Sequence, residues 1–150
     1  MIACKPVVVQ KRAFQFCKTS LAVALWTALV LRLPWLVAAA AVVLALSALL
    51  TVRRAPLVVV YRETLGRAWP GGAEVLDERA MRFAHTMGTL MCGGCALLLY
   101  TAPRAGYPLL LFVAIAKTAG ALGFCSALKL YGCLNSNTCC NWIERRHEHP

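Results

Sequence analysis

The 150-residue chain is 60% hydrophobic and 15% charged, with sixteen Lys and Arg against six Asp and Glu, a formal net charge of +10. That much apolar side chain excludes a disordered chain, and the length suits about one domain rather than a two-domain enzyme. So few charges would cover a soluble surface poorly, and eight cysteines point to a disulfide scaffold only in a secreted chain.

In chain order, the apolar residues fall into four runs separated by clumped charge. The first, 13–31, carries Gln15 and Lys18 near its start and ends at Arg32-Leu33-Pro34; Lys18 is placed to snorkel toward a membrane surface. The second, 35–52, has no charge and ends at Arg53-Arg54. Residues 53–81 form a longer, charged connection. Within it, 56–69 mixes apolar residues with Arg62, Glu63 and Arg67, which predicts an interfacial helix broken at Pro70-Gly71-Gly72. Asp77 is placed to cap the next helix, with Glu78 in its positively polarised first turn. The third run, 82–101, contains Gly88, Gly93 and Gly94, acceptable where membrane helices pack closely. The fourth runs over 107–131, and 132–150 is a Cys-rich tail.

Each run is close to the roughly 20 residues with which a helix crosses the hydrocarbon core, where the backbone must satisfy itself. The expected fold is therefore all-α: an integral membrane four-helix bundle built from two antiparallel hairpins, 13–31 with 35–52 and 82–101 with 107–131. A soluble bundle of buried helices fits less well, because soluble helices are amphipathic rather than apolar all round. A signal peptide in 1–31 fits less well because the second run follows at once.

Positive charge gives the orientation. One set of flanks holds Lys5, Lys11, Arg12 and Lys18, then Arg53, Arg54, Arg62, Arg67, Arg79 and Arg82, then Lys129, Arg145 and Arg146. The opposite loops hold only Arg32 and Arg104. Both ends of the chain and the middle connection are thus expected in the cytoplasm of a bacterial cell, with the chain in its inner membrane. The lipid bilayer, rather than nucleic acid, is the partner this charge implies.

On that topology no cysteine falls in an outer loop, so reduced thiols are expected. Cys92-Gly93-Gly94-Cys95 puts two thiols on one helix face. That suits a redox pair or two ligands to a soft ion, or equally two small residues at a helix contact. Lys117 lies inside the fourth run with no carboxylate in any run to pair with. Such a residue tends to face the bundle interior, and Cys92 and Cys95 are at similar depth on the antiparallel neighbour. One expectation is that Lys117 approaches that pair and favours a thiolate; the other is a Lys neutralised by burial or bonded to backbone carbonyls. His85 shares a face with Cys92, making His85, Cys92 and Cys95 a weak metal candidate without an evident fourth ligand. Cys125, Cys133, Cys139 and Cys140 are further candidate thiols for a relay or acylation beside the membrane, or unused thiols of an amphipathic tail. Their spacing matches no zinc signature.

Three segments carry a family resemblance: Arg54-Ala55-Pro56 leading to Leu57 and Tyr61-Arg62; Asp77 through Met81 leading to Arg82-Phe83-Ala84; and Gly123-Phe124-Cys125 leading to Leu130-Tyr131. With the four runs, over about residues 10–132, the chain resembles a group of bacterial four-helix integral membrane proteins of uncharacterised function. Members often read Gly-Phe-Cys, two residues, a second Cys, then Tyr. Here that second position is Leu128, so Cys125 lacks its usual neighbour. The resemblance implies an inner-membrane protein and no established activity.

No carboxylate pair, nucleophile elbow or Gly-rich phosphate loop supports hydrolysis, and no cofactor is expected. Three classes remain. A thiol-redox or sulfur-handling component would exchange electrons with a cytoplasmic thiol-redox protein. A soft-metal-ion transporter would pass cargo from the mid-membrane thiols to the tail. An accessory subunit would pack small-residue faces, one flanked by Ala116, Gly120 and Phe124 and another by Ala119, Gly123 and Ala127, into a larger membrane complex or an oligomer.

Overall fold

A computed structural model describes residues 6–50, 54–66 and 72–124. In chain order these form β1 (Pro6–Gln10), α1 (Lys11–Val30), α2 (Pro34–Leu49), α3 (Pro56–Thr64), β2 (Ala73–Asp77), α4 (Glu78–Thr101) and α5 (Pro103–Ala121). The described chain is overwhelmingly helical. Pro opens α2, α3 and α5, where its missing N–H removes nothing the first turn would use. Asp77 accepts a hydrogen bond from the Arg79 backbone N–H at 3.1 Å and caps α4, while Glu78 pairs with Arg82 one turn on, also at 3.1 Å.

Helix ends explain where the chain turns. After α1, Arg32 takes a left-handed backbone (φ 54°) and the Leu33 N–H bonds back to the Ala28 carbonyl at 3.0 Å, closing the helix so that α2 can return antiparallel. After α5, Gly123 takes φ 104°. The Phe124 N–H bonds to the Ala119 carbonyl and the Gly123 N–H to that of Gly120. This is a Schellman termination, and its left-handed position suits glycine. Helix α5 thus starts four residues before the fourth apolar run and stops at Ala121, although the apolar run continues.

The four long helices form a ring of neighbours in the order α1, α2, α4, α5. Leu25, Val37, Leu44, Cys92, Cys95, Leu110 and Val113 fill its centre. Gly106 sets the closest approach: a Cβ there would lie 2.8 Å from the Leu99 backbone, so α4 and α5 pack backbone to backbone. On the other side, Trp26 donates to the Thr118 hydroxyl at 2.9 Å and Gln15 to the Ala121 carbonyl at 2.8 Å. Gln15 thereby satisfies one of the carbonyls orphaned at the end of α5.

One feature at one end of the bundle was not read from the sequence. Strands β1 and β2 pair antiparallel in the register Pro6↔Asp77 to Gln10↔Ala73, and the Lys11 N–H reaches the Gly72 carbonyl at 2.9 Å. The ribbon joins the starts of α1 and α4, so the connection expected over 53–81 holds a strand as well as a helix. Helix α3 is shorter than the expected 56–69. It packs Val58 and Tyr61 against Ala13 and Cys17 of α1, with the Tyr61 ring 5.4 Å from Phe16.

Helices α1, of 20 residues, and α4, of 24, are long and apolar enough to cross a membrane; α2 is apolar but only 16 residues long. Large apolar side chains also cover the outside of the bundle: Val30, Leu49, Leu90 and Leu97 are each about two-thirds exposed or more.

Candidate functional site

A cleft of about 140 Å³ opens inside the helix ring at the ribbon end. Its lining comes from all four long helices: Phe14, Cys17, Lys18 and Leu21 of α1; Leu44 of α2; Met81, Ala84, His85, Met87, Gly88 and Met91 of α4; Val113, Ala116, Lys117 and Gly120 of α5. Clefts between the helices of a bundle, mostly apolar with few polar groups, are common ligand sites.

Lys117 reaches this cleft from one turn before the end of α5. A Cβ at position 88 would lie 2.5 Å from its Nζ, so glycine at that position makes room for the amine. Gly88 and Cys92 are one turn apart on the same face of α4, and the Lys117 charge lies within electrostatic reach of both Cys92 and His85. His85 is 2.7 Å from the Met81 carbonyl through Nδ1. A carbonyl only accepts, so Nδ1 carries the proton in this contact. Lys18 sits 4.1 Å above the Phe14 ring, in cation–π contact.

Cys92 and Cys95 do not line the cleft. Both are fully buried in the central core as free thiols. Cys95 Sγ donates to the Gly106 carbonyl at 3.8 Å, at the close approach of α4 and α5. The Lys117 charge reaches the first thiol of the pair only electrostatically, and the second faces the α4–α5 contact. Among the described residues no three His, Cys, Asp or Glu side chains converge on a metal position. His85, Cys92 and Cys95 thus form no such site: His85 is about two turns below Cys92, with Nδ1 engaged by the backbone. Cys125, Cys133, Cys139 and Cys140 lie outside the described residues.

Sequence reading singled out neither Cys17 nor Lys18 as site residues. It also missed the three methionines, although Met87 and Met91 share a face at i, i+4 spacing. The role of Gly88 had no local signal, because its partner is on another helix.

A family model described as a domain of unknown function, DUF4395, matches residues 9–135. The chain belongs to the DUF4395 family. The matched stretch contains the whole helix ring, the cleft and Gly123. In this DUF4395 chain the three segments singled out in the sequence lie at element boundaries. Pro56 opens α3, Asp77 caps α4, and Gly123 terminates α5. No curated protein and no solved structure matches the chain.

Proposed function

We propose that this DUF4395 chain is a multi-pass protein of a bacterial inner membrane that carries out cysteine-dependent redox or sulfur chemistry with a partner. The four long helices would cross as two antiparallel hairpins, with the ribbon, α3 and both chain ends on the cytoplasmic side. The exposed apolar belt of the bundle supports this placement. So does the charge, since Lys11, Arg12, Arg79 and Arg82 flank the ribbon end while Arg32 and Arg104 sit at the other.

The observation that carries the thiol reading is the Lys117 charge within electrostatic reach of Cys92, three residues from Cys95 on the same helix. A nearby cation stabilises a thiolate, while complete burial opposes it, so the pair reacts only when the bundle opens enough to admit an oxidant. Positions i and i+3 of a regular helix hold the Cβ atoms about 5–6 Å apart, wider than the roughly 4 Å of a disulfide, so bond formation requires α4 to distort locally at Gly93-Gly94. The step is two-electron: both thiols lose a proton and an electron to a disulfide or quinone-type oxidant, which leaves as the dithiol or hydroquinone. The positive charges of Lys18 and Lys117 in the cleft weigh against a soft cation as cargo.

A second reading has its own observation. Complete burial of both thiols, with Cys95 against Gly106, suits small residues at a helix contact, and with it an accessory subunit of a larger complex. Strains carrying Cys92→Ser with Cys95→Ser, compared with wild type under a thiol oxidant and under copper, separate these readings. Sensitivity to the oxidant alone supports the redox reading. Sensitivity to copper alone supports ion transport. Correct insertion with wild-type growth under both supports the accessory subunit.

A further inference from the structure

The cleft presents an unbalanced charge. Lys117 projects among Leu44, Val113 and Met91 and makes no hydrogen bond or ion pair among the described residues. Glu63 is paired with Arg62, Asp77 caps α4, and Glu78 is paired with Arg82; among the described residues no carboxylate lines the cleft. Lys117 is half-buried, and a partly desolvated ammonium is stabilised by an anion placed beside it, so the occupant that fits best brings one negative charge.

Size narrows the choice. A space of about 140 Å³ resembles an engineered protein cavity of about 150 Å³ that takes one benzene molecule. By head group alone, a phosphodiester with its glycerol is bulkier than a carboxylate with a few methylenes, and the rest of either lipid would extend out through the open side of the cleft. A neutral ring would leave the Lys117 charge uncompensated, and a metal cation would be repelled by Lys117 and Lys18. A carboxylate with a few methylenes matches both charge and volume. The flexible side chains of Met87 and Met91 suit a chain of no fixed shape.

We infer that this cleft binds the carboxylate head of a single-chain amphiphile, of the free fatty acid class, with Lys117 as its counter-ion. This site shares Lys117 with the thiol reading, but its binding test needs neither cysteine and survives if Cys92 and Cys95 prove inert.

The full chain in phosphatidylcholine nanodiscs, loaded with the fluorescent fatty acid parinaric acid, tests it by displacement. Decanoate is expected to displace the probe at least about tenfold more effectively than methyl decanoate or decanol, with empty discs setting the background. Lys117→Met should bring decanoate to within about threefold of the ester, and Lys117→Arg should keep most of the preference. Equal displacement by acid and ester in the wild-type chain overturns the inference, as does displacement no greater than in empty discs. A preference that persists in Lys117→Met overturns it too. Should Lys117→Met fail to insert, the wild-type acid-to-ester ratio decides.

Discussion

Two glycines on facing helices should respond oppositely to the same added methyl. At Gly106 the new Cβ would stand 2.8 Å from both N and Cα of Leu99 and 3.0 Å from the Leu98 carbonyl carbon. Carbon contacts settle near 3.5–4.0 Å, so α4 and α5 must separate by roughly 1 Å, and backbone cannot rotate aside. Overpacking of this kind costs about 1–3 kcal/mol and occasionally more. Ala regains about 1 kcal/mol of helix propensity over Gly. With the collision at the upper end of its range or above, Gly106→Ala should lose about 2–3 kcal/mol. That corresponds to a melting temperature roughly 5–10 °C lower. At Gly88 the new Cβ meets the tip of Lys117 and a Leu44 methyl. The Lys side chain can swing away, and the propensity gain remains, so Gly88→Ala should stay within about 1 kcal/mol of wild type. Thermal unfolding of both variants in one detergent, followed by circular dichroism, measures the contrast. A Gly106→Ala melt within about 2 °C of wild type, or a Gly88→Ala melt that falls as far as Gly106→Ala, would refute the packing described for α4 and α5.

The helix ends give further outcomes. Arg32→Gly should stabilise the chain by up to about 1 kcal/mol in the same melt, because it relieves a left-handed backbone at a non-glycine residue; a lower melting temperature would count against that turn. Asp77→Ala should cost about 1 kcal/mol while Asp77→Ser costs much less, and equal losses would mean that the cap is not what matters there. Trp26→Phe keeps the ring but loses the bond to Thr118. It should cost about 1 kcal/mol, and Thr118→Val in the same background should add little more; fully additive losses would show that the two residues do not act as a pair.

Much of the helical content was legible because its cause is local. The apolar runs marked α1, α2, α4 and α5, and Asp77 marked one of their starts. The end of α5 was harder. Hydropathy carries on through Leu130 and Tyr131, whereas the helix stops where Gly123 supplies a left-handed residue, so a backbone property overrode the apolar run. Strand β1 was missed because five residues give little periodicity and its partner lies more than sixty positions away. At the site, Lys117 stood out because a charge in an apolar run is anomalous by itself. The cleft around it did not, since its shape depends on which faces of α1, α4 and α5 meet. Gly88 looked like one small residue among several until Lys117 was placed against it.

The claim that Cys92 and Cys95 act as a working thiol pair is tested most directly by counting free thiols. A variant retaining only these two cysteines is treated in native membranes with diamide, quenched in acid, unfolded and alkylated with a polyethylene-glycol maleimide. The account predicts loss of both gel shifts after diamide, their return with reductant, and slower oxidation when Lys117 is changed to Met. Two full shifts after diamide, in a chain that is correctly inserted, would contradict it and leave the pair as packing residues of the α4–α5 contact.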